Sequence, residues 1–222
     1  MLFLDMQLKV TLCFRSKGEN MNEDNLPVFR VLDTESSHGR YSRSAKEITF
    51  EDLVKFHGHP CDGLYRGVYA LSVGLNLLFP KSVVDRTDLR IKSRNSPCLG
   101  DAASYLTGAR VRFGTQDVMP QQGVYYIIQK ISSGETIEVS EEPEFFPEEI
   151  VKVEKSLSSA SGKELSAKLD HLKDLQDNWI KDTLLKTHPA DHYFAKKIDY
   201  KWNEVPYSNK GIRTDIVFKD VI

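Results

Sequence analysis

Apolar and polar positions alternate along this chain at two different periods, and the changes of period mark out its elements. Leu64, Val68, Leu71, Val73, Leu75 and Leu78 recur at helical spacing between Pro60 and Pro80. They cover more than one face, which predicts a buried helix whose first turn starts at Pro60, where a missing N–H costs nothing. Before it, Thr49 with Asp52 three residues on is a helix-start signal. A short helix through Leu53, Val54 and Phe56 should stop near Gly58. Thr87–Ser93 alternates at period two and reads as a strand. A further helix is expected from Pro97 through Leu106 to Gly108, and Val111 with Phe113 suggests a short strand.

Residues 123–130 and 136–139 bracket Ser132-Ser133-Gly134-Glu135, a hairpin signal. Beyond Pro147 the period is helical again. It covers Ile150, Val153 and Leu157, and after a break at 158–162 it runs from Leu165 to Leu184. Pro189 opens a last helical turn, and 198–202 and 216–218 read as closing strands. At the other end, Leu26–Leu32 alternates weakly, as a strand would. Residues 33–46 read as loop, His38 among them, and residues 1–25 look peripheral, with Met21 an alternative start.

The order helix, strand, helix, hairpin, helix gives an α+β fold. Its mixed core has a β-hairpin or sheet packed on helices, and its C-terminal half is helical. The expected division is an N-terminal extension over 1–46, a core over 47–205 and a tail over 206–222. Gly63, Gly67 and Gly74 interrupt the buried helix at about 1 kcal/mol each relative to Ala, so a neighbouring backbone or a ligand is expected to come close there.

Composition narrows the functional classes. A net charge of −2 carries no basic excess, which argues against a dedicated nucleic-acid surface. No apolar run approaches the ~20 residues that span a bilayer, and the first residues lack a basic leader with a cleavage site. Three cysteines make no disulfide framework. A reduced, cytoplasmic protein is expected, in which cysteine serves metal binding or thiol chemistry.

Two segments carry that chemistry. Phe56-His57-Gly58-His59-Pro60-Cys61-Asp62-Gly63 is echoed by Ser96-Pro97-Cys98-Leu99-Gly100-Asp101, each reading Pro-Cys-x-Gly. A cysteine at a helix start lies near unpaired N–H groups and the positive end of the helix dipole, which favours thiolate. If the segments meet, His57, His59, Cys61 and Cys98 form a set suited to zinc or another divalent transition metal. With only three of them bound, a fourth position stays open to water. Asp62 and Asp101 would orient an imidazole or act as base. Buried, inert cysteines are the alternative, as is a metal-free thiol. His188 and His192, four apart, read as a surface turn or a ligand pair, while Cys13 and His171 read as inert and exposed. Arg90, Lys92 and Arg94 alternate on one face of their strand, which is either its wet face or an anion clamp near Cys98.

These residues carry a family resemblance. His57-Gly-His-x-Cys61, preceded by Thr49-Phe-Glu-Asp-Leu, resembles the signature of the FmdE family, named for the E-subunit of formylmethanofuran dehydrogenase. Cys98-x-x-Asp101-Ala and Leu106-Thr-Gly108 are similar to its second block, and 184–194 to its closing helix. The resemblance covers roughly residues 47–205. It implies an α+β core, often an intertwined homodimer, with a metal-associated Cys/His site at His57, His59, Cys61, Cys98 and Asp101. Asp62 stands where the family has proline, and no cysteine follows Cys98, so the zinc-ribbon tail of some members is absent.

The leading expectation is a cytoplasmic, homodimeric, metal-binding protein with a small-molecule ligand and no nucleic-acid or membrane partner; if it is an enzyme, an open metal position would activate water or a small substrate, with Asp62 or Asp101 as base. A non-catalytic metal sensor, carrier or partner-binding subunit is the second. An enzyme using Cys61 as nucleophile without metal is the third, with His57 or His59 as its base.

Overall fold

The computed structural model of the protein describes residues 25–36, 40–81, 83–119 and 123–203. Among these, two mixed sheets and six helices make an α+β fold. The first sheet joins β1 (Phe29–Leu32), β2 (Lys46–Ile48) and β3 (Val83–Asp85) in the order β2-β1-β3. The second holds β4 (Leu89–Arg94), β5 (Gln116–Met119), β6 (Val124–Lys130), β7 (Thr136–Glu141) and β8 (Tyr193–Ile198), in the order β5-β4-β6-β7-β8. Only the β4–β5 pair of this sheet is parallel, and helix α3 (Pro97–Thr107) makes its crossover.

Helix α2 (Asp62–Leu78) is the centre of the molecule. Leu64, Val68, Leu71 and Leu75 are almost wholly buried, as are Ile91, Ile128, Ile137 and Val139 of the sheet. A Cβ on Gly74 would come within 2.6 Å of the Val139 side chain and 2.9 Å of that of Ile128. Sheet side chains therefore fill the space that the small residues leave. Leu26, Phe29 and Val31 join the same core from the N-terminal side. Helices α4 (Glu148–Leu157) and α5 (Gly162–Asp182) close it with Ile150, Leu172, Trp179 and Ile180. No helix among the described residues is long and apolar enough to cross a membrane.

Local capping explains why the elements stop where they do. Helix α1 (Phe50–His57) opens on a capping box between Thr49 and Asp52 and ends at Gly58, in the left-handed conformation. Helix α3 has Pro97 in its first turn and the left-handed Gly108 at its end. The hairpin β6–β7 and the helical turn α6 (Pro189–His192) also follow the pattern.

Four expectations need correction. Helix α2 begins at Asp62 with an extended Cys61 as its cap, so Pro60 precedes the helix. Val111–Phe113 is a tight 3-10 turn with the Val111 and Phe113 side chains in solvent, closed by Arg110–Thr115 hydrogen bonds. The strand before Cys98 starts at Leu89, because Asp85 caps a turn over Arg86–Asp88. The last strand is 193–198, in register with β7, and residues 199–203 lie beyond it. Cys13, Met21, His38 and 216–218 lie outside the described residues.

Candidate metal centre and adjoining cavity

The end of α1 and the starts of α2 and α3 meet at one point, and that meeting brings the two cysteine segments together. Cys61 Sγ lies 3.4 Å from Cys98 Sγ and 3.5 Å from His57 Nε2. Donor atoms of His57, His59 and Cys61 all lie within 4.8 Å of one another. Both cysteines are free thiols. Gly63 permits the approach, since a Cβ there would stand 2.8 Å from Cys98 Sγ. Any larger residue would push α3 away from Cys61.

The other nitrogen of His57, Nδ1, is 2.8 Å from Asp101 Oδ2. A carboxylate can only accept, so Nδ1 carries the proton, which leaves Nε2 as the nitrogen that a neutral His57 would offer to a metal. Asp101 thereby fixes both the tautomer and the ring. His59 is exposed, with its ring centroid 4.7 Å from that of His57. Burial and the neighbouring His57 lower its pKa, which keeps its imidazole neutral.

The two thiols share a proton. Cys61 is pushed up by its hydrogen bond to Cys98 and then by burial. Cys98 is brought down to about 6, first by the hydrogen bond from Cys61, with His57 assisting. The Sγ–Sγ hydrogen bond therefore eases ionisation of one thiol while the other keeps its proton.

The spacing suits a metal ion. In a tetrahedral zinc site, bond lengths of ~2.3 Å to sulfur and ~2.05 Å to nitrogen put two sulfurs roughly 3.8 Å apart, and sulfur and nitrogen roughly 3.6 Å apart. The observed 3.4 and 3.5 Å lie within a few tenths of those values. The orienting carboxylate behind His57 is also the arrangement that ligating imidazoles ordinarily have.

A cavity of about 430 Å³ adjoins the cysteines, with Asp62, Arg66, Arg94, Tyr125, Glu154 and Gln176 in its wall. Asp62 accepts from Gln176 Nε2 at 2.8 Å and lies 3.5 Å from Arg66 Nη1. Burial raises its pKa, with Arg66 pulling the other way. Glu154 is raised by burial and by Asp62, and the Gln176 amide also reaches it at 3.3 Å. Arg66 makes a two-pronged contact with Glu141, at 2.9 and 2.6 Å, over the Phe146 ring.

The structure thus brings together His57, His59, Cys61, Cys98, Asp62 and Asp101. It separates the other histidines from them. His188 caps α6 by accepting from Ala190 N–H, while His192 binds Glu142 at 2.6 Å and stacks on Phe145. His171 is exposed. Arg66, Tyr125, Glu154 and Gln176 were not anticipated. Arg66 alone carried a signal, its place one helical turn after Asp62.

Residues 56–194 match the family described as FmdE, molybdenum formylmethanofuran dehydrogenase operon. The chain belongs to this family. The FmdE match begins at the first Cys/His segment and ends where β8 begins, so it takes in both halves of the cluster. No curated protein matches the sequence. Among solved structures, the chain is similar to a tungsten formylmethanofuran dehydrogenase FmdE-like protein from Syntrophus aciditrophicus. The identity is 17% over 69% of this chain and 74% of that one, with a TM-score of 0.43.

Proposed function

We propose that this FmdE-family protein is a metal-dependent enzyme acting on a small molecule held in the cavity beside the cysteines. The observation that carries the reading is Cys61 Sγ lying 3.5 Å from His57 Nε2 and 3.4 Å from Cys98 Sγ, with Cys61, Cys98 and His59 in the wall of that cavity. Zinc, or another thiophilic divalent ion, is the group this donor set suits. Cys61, Cys98 and His57 would hold it, and His59 would complete the set or leave a position open. A bound ion of this kind supplies Lewis acidity and lowers the pKa of coordinated water.

The two aspartates divide the remaining work. Asp101 holds His57 in the ligating tautomer and is a positioning residue. Asp62 faces the cavity, and its raised pKa brings it nearer neutrality, as a proton acceptor needs. The cavity favours this reading over a sensor or carrier, which needs only a closed set of ligands. A reducing, cytoplasmic setting belongs to the proposal on the small number of cysteines. A homodimer belongs to the proposal through the family resemblance alone, and a single-chain mass by light scattering would remove it. The associated division of the chain is a core over 47–205, a preceding segment over 1–46 that lends β1 to the first sheet, and a tail over 206–222.

Metal analysis of the purified full chain tests the reading. One equivalent of metal per chain is expected, and a chain that takes up none under reducing conditions with added zinc would overturn it. Thiol reactivity at the Cys61–Cys98 pair would then be the question to pursue. Asp101→Asn is expected to leave the fold intact and to weaken zinc affinity about 10–100-fold, the usual loss when an imidazole's supporting carboxylate is removed. Competition with a chromophoric chelator measures it, and unchanged affinity would remove Asp101 from this role.

A further inference from the structure

The alternating cations of β4 meet three different fates. Lys92 is buried, pairs with Asp117 at 3.1 Å and donates to the Asn203 backbone carbonyl. Arg90 donates to Gln129 at 2.6 Å and lies under the Trp202 ring. Arg94, at the end of the strand, lines the cavity. Its guanidinium carbon sits 4.4 Å from the centre of the Tyr125 ring, and no carboxylate among the described residues pairs with it. Stacking of this kind fixes the plane of a guanidinium and leaves its N–H edge free to form a fork. The cavity's other arginine, Arg66, is already committed to Glu141.

The same wall also carries acidic residues. Asp62 and Glu154 are joined only through the Gln176 amide, which donates to both. A cavity with one available cation and two carboxylates suits a single negative charge and disfavours a dianion such as phosphate. It also offers acceptors to a donor group on the same molecule. Its volume of about 430 Å³ is that of a small-molecule site.

We propose that the cavity takes a small monocarboxylate bearing an amine or hydroxyl, with Arg94 holding the carboxylate and the Asp62–Gln176–Glu154 group receiving the donor. The inference rests on the reading of this cavity as the substrate site and supplies its substrate class. Arg94 is the specificity-determining residue.

The test is calorimetric titration of the full chain, zinc-loaded and chelator-treated, with glycine, L-serine and glycolate. Acetate, methylamine and inorganic phosphate are the controls. At least one bifunctional carboxylate is expected to bind one site per chain, more tightly than acetate, with no binding of phosphate. Arg94→Gln is expected to weaken that binding at least ten-fold without changing zinc content. Gln176→Leu, on a different element, is expected to weaken the bifunctional ligand and to leave acetate unaffected. Failure of all three ligands overturns the proposal, as does affinity unchanged in Arg94→Gln or phosphate binding more tightly than the carboxylates. Carboxylate binding by a protein that takes up no zinc would overturn the metal reading and keep this one. Stoichiometric zinc without carboxylate binding would do the reverse.

Discussion

Replacing Cys61 or Cys98 by serine removes the bound metal, each substitution by itself, while far-ultraviolet circular dichroism stays that of the native chain. The expected loss is complete at micromolar zinc in the presence of a competing chelator. The two sulfurs belong to different helices and lie 3.4 Å apart, so neither retains the ion without the other. Serine offers a hard, protonated oxygen where a thiophilic ion takes a thiolate, and the hydroxyl of a shorter side chain falls short of the sulfur position. The fold has little to lose, because both cysteines sit at helix starts and neither helix depends on a side-chain cap hydrogen bond there. Elemental analysis of the two variants beside the wild type decides it. A variant that keeps a full equivalent of metal would show that its sulfur is not a ligand. Equal loss in both would show that the two Pro-Cys segments act as one site.

Glu141→Ala is expected to be the most destabilising of the substitutions considered, by about 3–5 kcal/mol, because it leaves a buried charge without its partner. Glu141 ends β7 with a side chain 9% exposed, and it receives both prongs of Arg66, itself 12% exposed. It also accepts from the Tyr193 hydroxyl at 2.8 Å. Without it, the guanidinium keeps Asp62, at 3.5 Å, and the Phe146 and Tyr125 rings, whose centres lie 3.7 and 5.7 Å from its carbon. For a chain of this size the melting temperature should fall by roughly 6–20 °C. The double variant Arg66→Met, Glu141→Leu should recover most of the loss, since an apolar pair of similar volume carries no desolvation penalty. Thermal unfolding of the single and double variants measures the coupling. Additive losses would mean that the ion pair is not the source.

The pair matters beyond stability, because Arg66 also faces Asp62. The same guanidinium that ties α2 to the end of β7 partly offsets the effect of burial on the Asp62 carboxyl. A fold-bearing contact therefore also acts on a cavity-facing acid. Helices α4 and α5 complete that environment by bringing Glu154 and Gln176 to the same carboxylate.

The amino-acid sequence by itself determined what depends on near neighbours. The Thr49–Asp52 box, Pro97 in the first turn of α3 and the glycines ending α1 and α3 each act through hydrogen bonds or backbone preferences within a few residues. The same locality made His57, His59 and Cys61 legible as one donor group, and the repeated Pro-Cys-x-Gly suggested that Cys98 would join them. Short patterns misled where local preference was weak. Val111 and Phe113 alternate as a strand would, yet among the described residues no neighbouring strand covers them, and a turn results. Pro60 reads as a helix start, but the extended Cys61 after it delays the helix by two residues.

Tertiary structure decided the rest, because it depends on contacts between residues far apart in the chain. Nothing near Gly63 in sequence reveals that its missing Cβ is the space into which Cys98 fits. Arg90, Lys92 and Arg94 look equivalent along their strand, and only the groups packed against each one separate a buried ion pair, a stacked cation and a free fork in the cavity wall. Gln176 reaches Asp62 from 114 positions away. It is an ordinary polar residue of a charged helix until the packing of α5 on α2 puts its amide between two carboxylates. The donor atoms were written in the sequence, whereas the cavity beside them was made by the packing of helices and sheet around them.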